Sequence, residues 1–237
     1  MNYERAVDHA GPSWRHFGLE DLERLPRAVR EHEMRCVPKP ELDLLAARNP
    51  EAMERVRKAF FWTLVYHLEP DRWDALAQIE PIHPQIVGAL PSNPRRCLDI
   101  GAGSGRLTQH LVARCRHVVA VEPASGLRAR LKQRLPAVAT IAGWADALPL
   151  ADRCSDLTTA CGALGPEPGV ISELERVTAT GGVIALISPE FPEWFEAHGW
   201  TRVTAAPIAV LEHEPWIDDF FGPPESPHEL LTKRMTR

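Results

Sequence analysis

The stretch "CLDIGAGSGRLTQHL" at positions 97–111 sets the reading of the whole chain. An apolar run carrying Asp99 near its end leads into Gly101, Gly103 and Gly105. Leu107, Leu111 and Cys115 then recur at helical spacing. A strand, a glycine turn and a helix in that order let backbone N–H groups approach a nucleotide-like ligand. Which ligand is the question that the surrounding residues must answer.

Working outward, the C-terminal side alternates strand and helix signals. "HVVAVEP", "ATIAGWA", "DLTTACGAL", "GGVIALISP", "RVTAAPIAV" and "HELLTKRMT" read as strands after "RCLDI". "GLRARLKQRL", "VISELERVT" and "PEWFEAHGW" read as helices between them. Short apolar runs of this kind fit strands buried on both faces. The expected fold class is α/β, with a Rossmann-like, mainly parallel seven-stranded sheet covered by helices on both faces. The N-terminal side reads as helix after helix. "GLEDLERLPRAVREHEM" spaces its leucines helically, and "ARNPEAMERV" opens on Asn49 as N-cap with Pro50 at the first helical position. The turn-rich "PSNPRR" separates the two sides. Residues 1–92 are therefore expected to form a helical lid, and 93–237 the core.

The glycine turn discriminates among ligands. No G-x-x-x-x-G-K-[ST] phosphate loop is present. The dinucleotide fingerprint G-x-G-x-x-G is missed by one position, because Arg106 stands where the third glycine should fall. Asp99 would repel a pyrophosphate and attract an ammonium or sulfonium. Glu122, after the second strand, is placed to accept hydrogen bonds from ribose hydroxyls. A ligand with a ribose, a positive charge and no pyrophosphate is wanted, and S-adenosylmethionine meets all three conditions.

These residues make the segment from about 90 to 237 similar to class I S-adenosylmethionine-dependent methyltransferases of the small-molecule type. "LDIGAGSGRLT", "VVAVEP", "AGWADALPLADRCSDLTTACGAL" and "ELERVTATGGVIALISP" resemble that family's motifs in order. The resemblance implies that Gly101, Ala102, Gly103 and Gly105 receive the methionine and ribose parts. It implies that Asp99 orients the amino end, that Glu122 binds the ribose, and that Pro123 or Ala124 lies beside the adenine. Many relatives read G-D-A-x-x-L-P around the adenine. Alignment on Leu148 and Pro149 puts Trp144 in the aspartate slot and Ala145 in the alanine slot. Either Trp144 packs on the adenine beside Ala145, or the loop shifts and Asp146 takes the amino group. Cys161, at the end of the fourth strand, lies where the family's cofactor cleft passes. Asp156 reads as a structural strand residue.

Methyl transfer often needs a base near neutral pH, and histidine suits it. Of ten histidines, His83 in "IEPIHP" is the candidate, ahead of His67 and His213. Phe60, Phe61, Trp62 and Tyr66 read as core that can also line a substrate pocket. The fourth-strand region "TTACGALG" has no [DN]-P-P-[YFW] motif and no Pro-Cys nucleophile. A net charge of -5 and the lack of a basic stripe argue against nucleic acid as acceptor. Five cysteines without a C-x-x-C pair suggest neither a disulfide framework nor a metal site. The charged N-terminus is unlike a signal peptide, and "AFFWTLVY" is far short of the roughly 20 residues of a membrane span. The expectation is a cytoplasmic enzyme acting on a small-molecule O, N or C nucleophile. The alternative is a methyltransferase-like fold that binds S-adenosylmethionine but does other chemistry or serves in binding.

Overall fold

The computed structural model describes residues 3–210 and 212–236. Along the chain, α1 (Tyr3–Asp8), α2 (Arg27–Met34), α3 (Lys39–Ala46), α4 (Pro50–Ala59), α5 (Phe61–Leu68), α6 (Pro70–Ile79) and α7 (Pro84–Ala89) precede the first strand. There follow β1 (Arg96–Ile100), α8 (Thr108–Val112), β2 (His117–Val121), α9 (Ser125–Arg134), β3 (Ala139–Ile141) and β4 (Ser155–Cys161). The chain continues through α10 (Pro168–Val177), β5 (Thr178–Ile187), α11 (Pro192–Ala197), β6 (Thr201–Thr204), α12 (Pro215–Phe221) and β7 (Glu229–Arg234). Among the described residues no helix is long and apolar enough to cross a membrane.

The chain forms two compact units. One comprises Met1–Leu76 with Glu212–Pro224, and the other Ala77–Leu211 with Glu225–Arg237. The expected division near residue 92 is thus displaced twice. The segment 77–92 belongs with the sheet, because Ile82, Ile86 and Leu90 join the apolar cluster that holds Cys97 and Leu157. The segment 212–224 returns to the helices, because Phe220 packs on Phe61 with ring centroids 5.7 Å apart. Ser13 also donates to the Asp219 carbonyl at 2.7 Å.

In the helical unit, Asn49 caps α4 as expected, accepting from the Ala52 amide at 3.0 Å. The helix expected over 18–34 is broken by Pro26, which leaves a 3-10 turn over Leu19–Arg24 and then α2. Proline lacks the N–H and crowds the preceding turn. Val56, Phe61, Leu64 and Val65 are fully buried, while Trp62, Tyr66, Trp73 and Phe221 are half-buried and edge or stack on one another.

The sheet unit has strand order β3-β2-β1-β4-β5-β7-β6. All neighbours are parallel except β7, which runs antiparallel to β5 and β6. The two-residue period of a strand distributes side chains to both faces. On β5, Val183, Ala185 and Ile187 enter the cluster with Ile86 and Leu111, whereas Ile184 and Leu186 join Leu174 and Phe195 on the other face. Helices therefore cover both faces, as the continuous apolar runs imply. The strand expected over 202–210 ends at Thr204, and Pro207, without an N–H, stands where it would continue.

Candidate functional site

Parallel strands β2 and β4 flank β1; the chain runs from β1 through β2 to β3 on one side and then crosses back to β4 on the other. Loops at the carboxyl ends of strands at such a switch point form the ligand crevice of open α/β sheets. The loop after β1 carries Gly101, Gly103 and Gly105, all at positive φ. A Cβ at Gly101 would lie 2.9 Å from the Ala163 Cβ, so the loops after β1 and β4 meet there without room for a side chain.

Asp99 is buried at 1% exposure near the end of β1. Thr108 on α8 donates to its Oδ2 at 2.6 Å, and Thr159 on β4 donates to its Oδ1 at 3.3 Å. Burial pushes its carboxyl up to about 7, against the two threonine hydrogen bonds and with help from the nearby Glu122. Glu122 follows β2 and is also buried. It accepts from the Gly103 amide at 3.0 Å and the Ala124 amide at 2.8 Å. Burial pushes it up to about 6, opposed by those two amides. Two neighbouring buried carboxyls with raised pKa values favour a cationic ligand, whose arrival stabilises their ionised forms. Ser104 in the same loop is 1% exposed, and its hydroxyl has no partner among the described residues. A buried hydroxyl without a partner is a hydrogen-bonding group left for a ligand. Backbone cradle, cation-favouring carboxyls and open hydroxyl fit the amino-acid and ribose parts of S-adenosylmethionine.

The 144–146 loop stands beside the end of β2. Gly143 is buried there, and a Cβ on it would come 3.0 Å from Val121 Cγ1 and 2.7 Å from Pro149 Cδ. Trp144 and Ala147 form an isolated bridge that closes the turn. Trp144 and Ala145 are half-buried, whereas Asp146 is exposed, with its Cβ 3.8 Å from where Gly169 at the start of α10 would carry one. Pro123 is half-buried and Ala124 fully buried at the start of α9. Ala102 is buried against Leu131 and Ala120, so it holds the loop to α9 and β2.

His83 occupies the N-cap of α7, where its Nδ1 accepts from the Gln85 amide at 3.1 Å. In that arrangement Nδ1 is engaged as an acceptor by the helix start. Capping is the role the geometry assigns to it. Cys161 ends β4, and burial pushes its thiol up to about 11. Asp156 pairs with Arg96 at 2.8 Å, the structural role expected of it.

Sequence reading passed over Glu80 and used Arg106 only to exclude the dinucleotide fingerprint. Arg106 Nη1 lies 2.5 Å from Glu80 Oε2, and both side chains are 12% exposed. Glu80 Oε1 accepts from the Glu225 amide at 3.1 Å. The Cys161 thiol lies near enough to Arg106 to act on its charge. The available signal was a lone carboxylate in the apolar "AQIEPI".

Residues 98–186 match a family described as "Methyltransferase domain". An uncharacterized methyltransferase of Mycobacterium tuberculosis is 36% identical over 115 residues, covering 48% of this chain and 46% of that protein. A demethylmenaquinone methyltransferase of Beutenbergia cavernae is 36% identical over 116 residues, covering 47% of this chain and 48% of that protein. The chain spans about half the length of the curated relatives it matches. Among solved structures, a SAM-dependent methyltransferase of Aquifex aeolicus has a TM-score of 0.49 at 15% identity, over 70% of this chain and 96% of that chain.

Proposed function

With residues 98–186 forming a methyltransferase domain of the S-adenosylmethionine-dependent, Rossmann-like kind, we propose that this protein transfers a methyl group to a small-molecule acceptor. The observation that carries the reading is the pair Asp99 and Glu122, buried at the switch point around a loop of three positive-φ glycines. When bound, S-adenosylmethionine supplies a methyl group on a positively charged sulfur. The chain's own residues orient and shield it. Gly101, Gly103 and Gly105 admit its amino-acid end to the backbone, and Asp99, locked by Thr108 and Thr159, sets a fixed negative charge beneath its ammonium. Glu122 takes the ribose hydroxyls on its remaining lone pairs while its amide contacts keep the carboxylate aimed. Pro123 and Ala124 flank the adenine on one side. Trp144 packs on it and the Ala145 amide reaches a ring nitrogen. Asp146 is the alternative partner for the adenine amino group, and Cys161 lines the cleft.

Three features support a small-molecule acceptor. The chain is acidic, with a net charge of -5. Half-buried aromatic side chains gather in the helical unit. Relatives named demethylmenaquinone methyltransferase take a small acceptor by that name. Calorimetry with S-adenosylhomocysteine against NADH tests the cofactor: the first binds and the second does not, and absence of S-adenosylhomocysteine binding overturns the reading. Transfer of labelled methyl to a panel of quinols, phenols and amines tests the reaction; cofactor binding without transfer to any of them favours the non-methylating alternative.

A further inference from the structure

We infer that Arg106, held in place by Glu80, anchors the carboxylate of the cofactor's amino-acid end, an inference that rests on the cofactor reading above. Arg106 is the first residue after the glycine loop, so its backbone is carried by the same turn that admits the ligand. Its guanidinium turns back over the crevice rather than out to solvent. A Cβ on Gly162 would lie 3.3 Å from Nη2, which places that nitrogen above the carboxyl end of β4.

The polar contacts of Arg106 divide into a strong one and a weak one. Nη1 is committed to Glu80 Oε2. Glu80 is itself tied down, because its Oε1 accepts from the Glu225 amide. Its other polar neighbour is the Cys161 thiol, which burial keeps protonated and which is a weak acceptor. A guanidinium has five donors in a planar fork that matches a carboxylate. Exchange of a thiol for a carboxylate oxygen is therefore favourable. Gly162 keeps this arm uncrowded, since a side chain there would press against Nη2.

Charge complementarity points the same way. Asp99 and Arg106 interact electrostatically across the loop. An acidic and a cationic group acting on one loop match the ammonium and carboxylate of an α-amino acid. Glu80 acts through Arg106 and is a positioning residue. It neutralises a guanidinium that would otherwise be buried unpaired, at a large cost.

Two ligands separate the amino-acid end from the rest of the cofactor. S-adenosylhomocysteine carries the amino-acid end, and 5′-methylthioadenosine lacks it. Calorimetry with both is run on the unmodified protein, on Arg106→Lys, on Glu80→Gln, and on Arg106→Met combined with Glu80→Gln, which leaves no buried unpaired charge. The double variant should bind S-adenosylhomocysteine at least about tenfold more weakly, the loss of a charge-assisted pair. Its affinity for 5′-methylthioadenosine should stay within about twofold, since that ligand never meets the guanidinium. Arg106→Lys should fall between, and Glu80→Gln should keep the preference for S-adenosylhomocysteine. An unchanged ratio of the two affinities in the double variant overturns the inference. So does an equal loss for both ligands, which would make Arg106 a purely structural support of the loop. If the unmodified protein binds neither ligand, the cofactor reading itself has failed and takes this inference with it.

Discussion

The loop after β1 and the aromatic cluster of the helical unit solve opposite problems. Around the loop, three charged side chains are buried and each is held by a named partner: Asp99 by two threonines, Glu122 by two backbone amides, Arg106 by Glu80. In the cluster, Trp62, Tyr66, Trp73 and Phe221 meet through ring faces and edges, and Phe61 lies fully buried beneath them. Hydrogen-bonded charge tolerates little change of geometry, whereas apolar packing accepts volume-conserving exchange. A cofactor of one shape suits the first kind of site. A site that tolerates varied apolar shapes suits the second.

The sharpest way to break this contrast is Gly101→Val. It forces a β-branched residue to φ +64 and a Cβ to within 2.9 Å of Ala163. S-adenosylhomocysteine binding should become undetectable by calorimetry, and retained affinity would show that the loop does not form the site. Glu122→Ala comes next. It removes the proposed ribose acceptor and strands the Gly103 and Ala124 amides, so affinity should drop about tenfold to a hundredfold, on the order of 1.5–3 kcal/mol for a hydrogen bond to a charged group. Unchanged affinity would refute the ribose assignment.

A pH series sharpens the contrast further. Asp99 and Glu122 hold protons in the folded state up to about 7 and about 6, above their ordinary values of 3.8 and 4.5. In that window the folded state binds more protons than the unfolded one, so their contribution to stability is present at low pH and lost as pH rises toward 7. A bound ammonium reverses the preference and favours the ionised carboxylates. S-adenosylhomocysteine should therefore bind more weakly at pH 5.5 than at pH 8, and raise the melting temperature more at the higher pH. Asp99→Asn should flatten this dependence, and a variant that keeps the full slope would assign the titration elsewhere. The smallest expected effect is that of Trp73→Phe, which keeps an aromatic ring. S-adenosylhomocysteine affinity should stay within about twofold while the KM for a methyl acceptor changes; a tenfold loss of cofactor affinity would erase the contrast.

Much of the sheet was legible because its signals are local. Apolar runs bounded by turns marked seven strands, and their alternation with helices implied parallel order. Errors arose where a local break outweighed a period: Pro26 split a leucine-spaced helix, and β6 stopped short of Pro207. His83 suits a base by type and neighbourhood, and the structure adds a local role: it precedes Pro84 at a helix start, where its ring nitrogen meets the Gln85 amide. Helix capping was available from the "HP" pair, but histidine is not among the residues that usually announce a cap.

By itself the sequence determined the glycine turn and the carboxylates around it, because backbone conformation and charge at the end of a strand depend on residues a few positions apart. Only the tertiary structure returned residues 212–224 to the helices, gave Arg106 its partner 26 positions away in Glu80, and tied Glu80 in turn to Glu225. Those pairings join segments that nothing local brings together, and burial is what selects them. A buried charge must find its opposite, and an exposed aromatic face must find another, wherever along the chain the partner lies.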